Sequence, residues 1–267
     1  MIYCKELNKS FDDKSELIKE LVENKQLIID AKKSAIKYSD GITTSASTSN
    51  EAAKYDIEPS NKIYPVINTT NYMDSHGDVH AFDIWNKSVS EQDGKLYYVT
   101  DHELEVSNVI AFPKNVKPML VEFTWKELGF DYNGKTNALV YEITLTGNEP
   151  AQFKRALIEG NIENSVRMQY VTIALCVNDS EYEHEKDNWD KYISLVANRE
   201  RAEEVGYFWY VKEAKIVKEG SAVLFGSNDA TPILRSIDKQ EPAVVTPKSN
   251  NGVNNKKSNY YYTLHNV

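Results

Sequence analysis

Segments rich in β-branched and aromatic residues, separated by turn-forming residues, fill most of the chain between residues 62 and 225. They do not alternate regularly with helical segments, so a parallel βαβ architecture is not indicated. The predicted strands are 63–70, 95–100, 106–112, 119–124, 138–145, 166–175, 207–217 and 222–225. We therefore predict a mainly β protein with peripheral helices (α+β), whose antiparallel sheet closes, or nearly closes, into a β-barrel.

Outside the strand-rich part, the composition predicts a helix and two segments without a core. Apolar residues recur at near-helical spacing over residues 14–37, whereas small residues dominate 41–50 and polar residues dominate the chain after about 236. We predict an N-terminal amphipathic helical extension (1–40), a flexible linker (41–61), a β-barrel domain (62–235) and a polar disordered tail (236–267). The extension either docks on its own domain or binds a partner, and the sequence leaves both open.

The overall charge and the two cysteines limit the function classes. The 267-residue chain has 31 Lys and Arg against 40 Asp and Glu, a net charge of −9, which argues against a broad nucleic-acid surface. Cys4 and Cys176 are expected to be unpaired, as in a reducing cytoplasm. No apolar stretch is long enough for a membrane span, and the N-terminus lacks a signal sequence. We expect a soluble intracellular protein with no nucleic-acid or membrane partner.

Three residues of the types that activate a serine nucleophile stand at predicted strand ends. Ser165 opens the run Ser-Val-Arg-Met-Gln-Tyr-Val, His102 ends Tyr-Tyr-Val-Thr-Asp-His, and Glu219 precedes Gly-Ser-Ala-Val-Leu-Phe. A hydroxyl becomes a good nucleophile when a base takes its proton, and the base needs an orienting partner. The sequence therefore offers Ser165 as nucleophile, His102 as base and Glu219 as the orienting carboxylate. His76 and His80 stay open as alternative bases.

Strand alternation places Arg167 and Gln169 on the same face as Ser165. Both are second-shell candidates, and Arg167 could support the oxyanion of a tetrahedral intermediate. An exposed ion pair is the alternative for Arg167, and both interpretations stay open.

The segment Asp74-Ser-His-Gly-Asp-Val-His80 contains four residues of metal-binding types at alternating positions. An extended backbone would put them on one face, but Gly77-Asp78 breaks the regularity and no matching Cys/His group occurs elsewhere. We favour a turn packed near the site, with Asp78 hydrogen-bonded to backbone, and count Asp78 and His76 among the oxyanion or second-shell candidates. No metal and no cofactor are predicted.

The remaining histidines and cysteines are weaker candidates. His184 is expected on a solvated helix face, and His265 belongs to the polar tail. Cys176, at the end of an apolar strand, is interpreted as a small core residue and not as the nucleophile.

Several segments, in order over about residues 62–235, resemble those of tailed-phage prohead proteases, the capsid-maturation serine proteases related to herpesvirus assemblins. The likeness is to forms carried by phages of Bacteroidetes-type hosts. The matching segments are Asp74-Ser-His-Gly-Asp-Val-His, Ile84-Trp-Asn-Lys-Ser-Val, Thr100-Asp-His102, Asn164-Ser-Val-Arg-Met-Gln-Tyr170, Gly206-Tyr-Phe-Trp-Tyr210 and Glu219-Gly-Ser-Ala-Val-Leu-Phe-Gly-Ser-Asn228. The resemblance implies a barrel of the herpesvirus-protease type, with Ser165 as nucleophile and His102 as base. It points to Glu219 as the third member, where the herpesvirus relatives use a second histidine.

The resemblance also implies a biological setting. The enzyme would cleave the internal scaffold, or scaffold-like segments of the major capsid protein, and often itself, inside the prohead in the host cytoplasm. The related viral enzymes form dimers, which makes a homodimer an expectation here. The N-terminal extension, the tail or both are expected to anchor the enzyme in the prohead and to be trimmed later.

One departure from the family pattern keeps a rival hypothesis open. Many members have Ser-x-Gly at the nucleophile, whereas this chain has Ser165-Val166-Arg167. A non-catalytic assembly or scaffold protein that retains the protease fold is therefore the alternative. An esterase is disfavoured, because the chain lacks a Gly-x-Ser-x-Gly elbow.

Overall fold

The computed structural model describes residues 2–37, 61–160, 162–228 and 230–234. The predicted linker and tail, apart from Asn61, lie outside these residues. The strands are β1 (Ile2–Cys4), β2 (Lys9–Phe11), β3 (Lys62–Asn68), β4 (Asp78–His80), β5 (Tyr97–Thr100), β6 (Val109–Ala111), β7 (Val116–Thr124), β8 (Lys135–Thr144), β9 (Glu163–Val177), β10 (Tyr207–Val223) and β11 (Ile233–Leu234). The α-helices are α1 (Lys14–Glu23), α2 (Lys25–Ser34), α3 (Asn86–Gln92), α4 (Ala151–Glu159), α5 (Glu183–Tyr192) and α6 (Arg199–Val205).

The predicted antiparallel barrel is wrong: the described strands form several separate sheets in a mixed α/β fold, and none of these sheets closes. One sheet has the order β4-β10-β5-β6, with β9 also paired to β10, and another has the order β11-β3-β8-β7. β1 and β2 form a small third sheet. The physical reason lies in β10, which pairs in parallel with both β4 and β5 along one edge and antiparallel with β9 along the other. An all-antiparallel barrel has no place for such parallel pairs.

Each predicted strand overlaps an observed one, but the bounds and the pairing differ. The two predicted strands 207–217 and 222–225 belong to the single strand β10. β4 was not predicted, because its three residues lie inside a motif interpreted as a turn. Strand segments were thus recognisable from residue type, whereas their partners were not.

The two larger sheets pack face to face close to the C-terminal part of β10. A Cβ added at Gly220 would lie 2.8 Å from Cε2 of Tyr141 on β8 and 3.1 Å from two side-chain carbons of Ile67 on β3. Real Cβ atoms do not approach other atoms so closely, so the absence of a side chain at Gly220 allows the tyrosine ring to contact the β10 backbone.

The N-terminal residues form two helices instead of one, and both pack on the body of the protein. Asp13 caps α1 by accepting a hydrogen bond from the Glu16 backbone N–H, at 2.9 Å. The helix stops at Asn24, whose backbone (φ −97°, ψ 7°) leaves helical geometry before α2 begins. The apolar faces of both helices belong to the same buried cluster as the large sheets, through Leu17, Ile18, Leu21 and Ile28.

No helix among the described residues is long and apolar enough to cross a membrane.

Candidate active site

A bulge in β10 sets the position of Glu219. Met168 pairs with Ile216 and Val166 with Gly220, so three residues of β10 stand opposite the single residue Arg167 of β9. Lys218, inside the bulge, has a left-handed backbone (φ +69°). A bulge redirects the side chains of its strand, and here the Glu219 side chain is completely buried, at 0% exposure.

His102 follows β5 at a sharp reversal of the backbone. Asp101 (φ +52°) and His102 (φ +59°) are both left-handed, which costs on the order of 1 kcal/mol or more for each residue that is not glycine. Two hydrogen bonds to β10 hold the reversal: Asp101 N–H donates to the Ala222 carbonyl at 2.9 Å, and His102 N–H donates to Ser221 Oγ at 2.9 Å. The strain is therefore maintained by the strand that also carries Glu219.

The imidazole of His102 contacts the carboxylate of Glu219. Nδ1 of His102 lies 2.8 Å from Oε1 of Glu219, and the histidine side chain is 8% exposed. An ionised carboxylate only accepts hydrogen bonds, so Nδ1 carries the proton and Nε2 is the basic nitrogen of the neutral ring. A proton taken up at Nε2 gives an imidazolium that the buried carboxylate stabilises.

Ser165 occupies the same face of the sheet. It is the direct cross-strand partner of Ser221 in the β9–β10 pair, and cross-strand partners have their Cβ atoms about 4.5–5.5 Å apart on one face. Ser221 Oγ in turn accepts the hydrogen bond from His102 N–H. Ser221 therefore connects two parts of the candidate site that are far apart in the sequence: it pairs with Ser165 on β9 and holds the backbone of His102, whose ring contacts Glu219. Ser165 itself is buried, at 4% exposure.

The Glu219 carboxylate and the Tyr141 hydroxyl are both buried, and burial affects the pKa of the tyrosine. The second carboxylate oxygen of Glu219, Oε2, is buried and has no hydrogen-bond partner among the described residues, and the same holds for Oη of Tyr141. Burial, and then the charge of Glu219, raise the pKa of Tyr141 well above its usual range. A buried carboxylate with one oxygen unsatisfied is costly, and the contact with the His102 ring offsets part of that cost.

The four residues expected to support the oxyanion or the catalytic side chains occupy different places. Arg167 is half-buried and stands opposite the bulge, two residues from Ser165. Gln169 donates from Nε2 to the Lys33 carbonyl at 3.1 Å, which ties β9 to the N-terminal helices. Asp78 and His76 lie far from Glu219. Asp78, on β4, pairs with Trp209 of β10, and Trp209 precedes Glu219 by ten residues on that strand. That separation is about 30 Å along a strand.

The expectation that Asp78 is hydrogen-bonded to backbone near the site is therefore wrong. Asp78 instead accepts from Lys32 Nζ at 2.6 Å, from Lys37 Nζ at 3.1 Å and from Tyr170 Oη at 2.7 Å. Burial alone would raise the pKa of Asp78, but Lys32 and Lys37 outweigh it and hold the pKa below its usual range. The backbone role belongs to Asp74, which accepts from the N–H groups of His76 and Asp78.

Sequence reasoning missed Ser221, Lys32 and Lys37. Ser221 lies two residues after Glu219, and strand alternation from Glu219 would have placed it on the same face. The two lysines carried no comparable signal, because their role depends on how the N-terminal helices dock on β4 and β9.

The other candidates for chemistry have structural surroundings. Cys176 is buried, and burial raises the pKa of its thiol far above the usual range, which disfavours the thiolate. His184 is exposed, with Nδ1 3.5 Å from Glu185. His265 lies outside the part of the chain that the structure describes. Within that part, no group of three or more His, Cys, Asp or Glu side chains is arranged to hold a metal ion.

The chain matched no protein-family model, no curated protein and no solved structure.

Proposed function

We propose that this protein is a serine endopeptidase that cleaves scaffold or capsid-protein segments, and itself, during maturation of a phage prohead. The observation that supports the chemistry is the His102–Glu219 contact of 2.8 Å, on the face of the sheet where Ser165 stands opposite Ser221. The substrate class rests on the resemblance of the segments around these residues to prohead proteases.

The proposed reaction has two halves. In the first, Ser165 Oγ attacks a peptide carbonyl carbon while its proton moves to Nε2 of His102, and the carbonyl oxygen becomes an oxyanion. The C–N bond then breaks, the proton passes from His102 to the leaving amine, and an ester links the acyl part to Ser165. In the second half His102 takes a proton from a water molecule whose oxygen attacks the ester carbonyl carbon. The bond between that carbon and Ser165 Oγ then breaks, His102 returns the proton to Ser165 Oγ, and the carboxylic acid product leaves.

Glu219 and Arg167 have supporting roles in this proposal. The Glu219 carboxylate keeps the proton of the neutral ring on Nδ1 and stabilises the imidazolium. The Arg167 guanidinium, two residues from the nucleophile, would stabilise the oxyanion.

A second candidate is a non-catalytic assembly protein with the same fold. It is favoured by the burial of Ser165, at 4% exposure, because a nucleophile must be reached by its substrate. It is also favoured by Arg167 in place of the family's glycine. This candidate predicts that head maturation does not depend on Ser165.

The deciding experiment follows intact masses and labelling by a fluorophosphonate, which reacts with activated serines. Wild type should be labelled at Ser165 and should fragment over time, whereas Ser165→Ala should do neither. Glu219→Gln keeps the shape and removes the charge, so labelling should slow by about 10³- to 10⁴-fold, as for loss of the carboxylate in other triads. Ser90→Ala, on the exposed side of α3, is the matched control and should behave as wild type.

The same set should be repeated with purified scaffold present, since a latent protease can require its substrate. Neither labelling nor cleavage by wild type in the presence of scaffold would contradict the enzyme proposal and favour the assembly protein.

A further inference from the structure

Large apolar side chains are exposed on two loops that leave the sheet beside the candidate active site. Leu104 is 40% and Val106 85% exposed on the loop after His102, while Leu224 is 62% and Phe225 42% exposed on the loop after β10. We call these four residues the apolar rim. Isolated exposed apolar residues are ordinary, but a group of them at one place marks a contact surface.

Strand pairing places both loops at the same end of the sheet as Ser165. β5 and β10 run in parallel, and their last pair is Thr100 with Ala222, so the chain leaves both strands at one end. β9 runs the opposite way, and its first residue, Glu163, pairs with Val223 at this same end. Ser165 is the third residue of β9, so it lies at the same end of the sheet as both loops, with β10 between it and the loop after β5.

The loop after β10 is fixed over the start of β9. Gly226 N–H donates to Oε2 of Glu163 at 2.6 Å, and a Cβ at Gly226 would lie 3.2 Å from the Asn164 carbonyl oxygen. This close approach keeps the neighbouring Phe225 near the β9 residues that precede Ser165. Leu224 and Phe225 are therefore exposed on a loop that its contacts with Glu163 and Asn164 hold in place.

The rim carries negative charge on one side. Asp101, Glu103 and Glu105 alternate with His102 and Leu104 on the first loop, and all three acidic residues are exposed. A surface of this kind attracts apolar and basic segments and repels acidic ones.

We propose that the apolar rim binds a large apolar side chain of the polypeptide substrate, next to the bond presented to Ser165, and that the acidic residues of the first loop disfavour acidic neighbours of that side chain. This inference rests on the proposed protease function and adds its substrate preference. The occupant is an unfolded or extended polypeptide segment, because the rim lies at the sheet end that carries Ser165 and His102. A side chain bound there would belong to the chain presented for cleavage.

The test uses a library of synthetic peptides as substrate and a small fluorophosphonate as a second probe, both with the full-length protein. Wild type should cut the library beside Leu, Ile, Phe or Met, and acidic residues should be rare near the cut. Val106→Asp and Leu224→Asp should each lower library turnover by about 10-fold or more, as loss of an apolar contact does, and weaken the apolar preference. Labelling of Ser165 by the small probe should stay within about twofold of wild type, since the probe does not need the rim.

Leu195→Asp is the matched control, because Leu195 is also exposed (47%) but follows α5 away from the sheet end. It should leave turnover and preference unchanged. Unchanged turnover and preference in both rim variants, with labelling intact, would overturn the inference and leave the protease proposal standing. Absence of labelling and cleavage in wild type would overturn both.

Discussion

Two histidines show how neighbouring charges decide what an imidazole can do. His102 lies against a buried carboxylate, so its protonated form has a partner 2.8 Å away. His76 lies in a half-buried turn with Nδ1 3.5 Å from Lys5 Nζ, and burial, followed by the charge of Lys5, lowers its pKa to about 4. The environment of His76 therefore opposes proton uptake, and His102 has a carboxylate as its hydrogen-bond partner instead of an ammonium.

We predict that His76 makes the protein lose stability as the pH falls from about 7 to about 4. The folded-state pKa is depressed below the ordinary value of 6.5, so the unfolded chain binds the proton first and is stabilised by it. His76→Gln should therefore lose less stability than wild type between pH 7 and pH 5, as measured by urea unfolding midpoints. If His76→Gln lost as much stability as wild type between pH 7 and pH 5, His76 would not be the cause of that loss. His184→Gln, at an exposed histidine, is the control.

At the level of single residues, residue type and position at strand ends drew attention to Ser165, His102 and Glu219. His102 and Glu219 are in contact and Ser165 pairs with Ser221, which holds the His102 backbone, whereas their catalytic roles remain a prediction. The left-handed backbone at Asp101 and His102 could not be predicted, because side chains other than glycine rarely adopt it without tertiary contacts to hold it. Asp78 was misplaced for a similar reason, since its lysine partners come from elements remote in sequence.

At the scale of elements, the docking of α2 depends on a buried charge cluster. Lys32 is 7% exposed and contacts both Asp78 and Glu6, at 2.6 and 3.4 Å, while Lys37 adds a second positive charge at Asp78. The backbone of Lys37 also forms a two-way hydrogen-bonded bridge with Met168 on β9. The N-terminal helices are thus fixed to β4 and β9 by charge as well as by apolar packing.

We expect Lys32→Met to lower the free energy of unfolding by about 3 kcal/mol, because it leaves Asp78 buried with only one of its two lysines. Lys87→Met is a matched control: Lys87 pairs with Glu213 at 3.1 Å, but its side chain is 66% exposed, so the loss should stay under about 1 kcal/mol. Urea unfolding at neutral pH measures both. If both variants lost the same free energy of unfolding, burial of the Lys32–Asp78 pair would not increase its contribution to stability.

Element types were more predictable than their arrangement. The 3.6-residue spacing indicated the N-terminal helical region, and β-branched segments indicated the strands. The break at Asn24, the bulge at residues 217–219 and the parallel pairing of β10 depend on contacts across the fold, which local patterns do not encode.

At the scale of the whole molecule, residues 2–37 pack on the sheets and belong to the same core. A separate tethered extension was one of the two interpretations that the sequence left open. In the structure, α1 and α2 bury residues in the same cluster as both large sheets, and Lys25 pairs with Glu185 of α5. The described N-terminal residues and the sheets therefore share one core.

We predict that this shared core unfolds in a single step. Leu21 is 0% exposed, and Leu21→Ala should cost about 2–5 kcal/mol. The four tryptophans all lie outside residues 2–37, but Trp209 donates to Glu6 and lies under the Lys32 ammonium, so tryptophan fluorescence reports on the body of the protein and on its contact with the N-terminal residues. Far-UV circular dichroism reports on all helices. Both signals should shift together in urea. Separate transitions would show that the N-terminal helices unfold independently, and Leu27→Ala, at a side chain 71% exposed, should shift neither.

The distance in sequence between His102 and Glu219, 117 residues, has a consequence for the timing of synthesis. Ribosomes add residues at about 5–20 per second, so the histidine emerges many seconds before the strand that holds its partner. Until β10 is made, the reversal at Asp101 and His102 lacks both the carbonyl and the hydroxyl that hold it. A protease built in this way would be inactive as a nascent chain, and neighbouring polypeptides would be spared until its β10 had been translated.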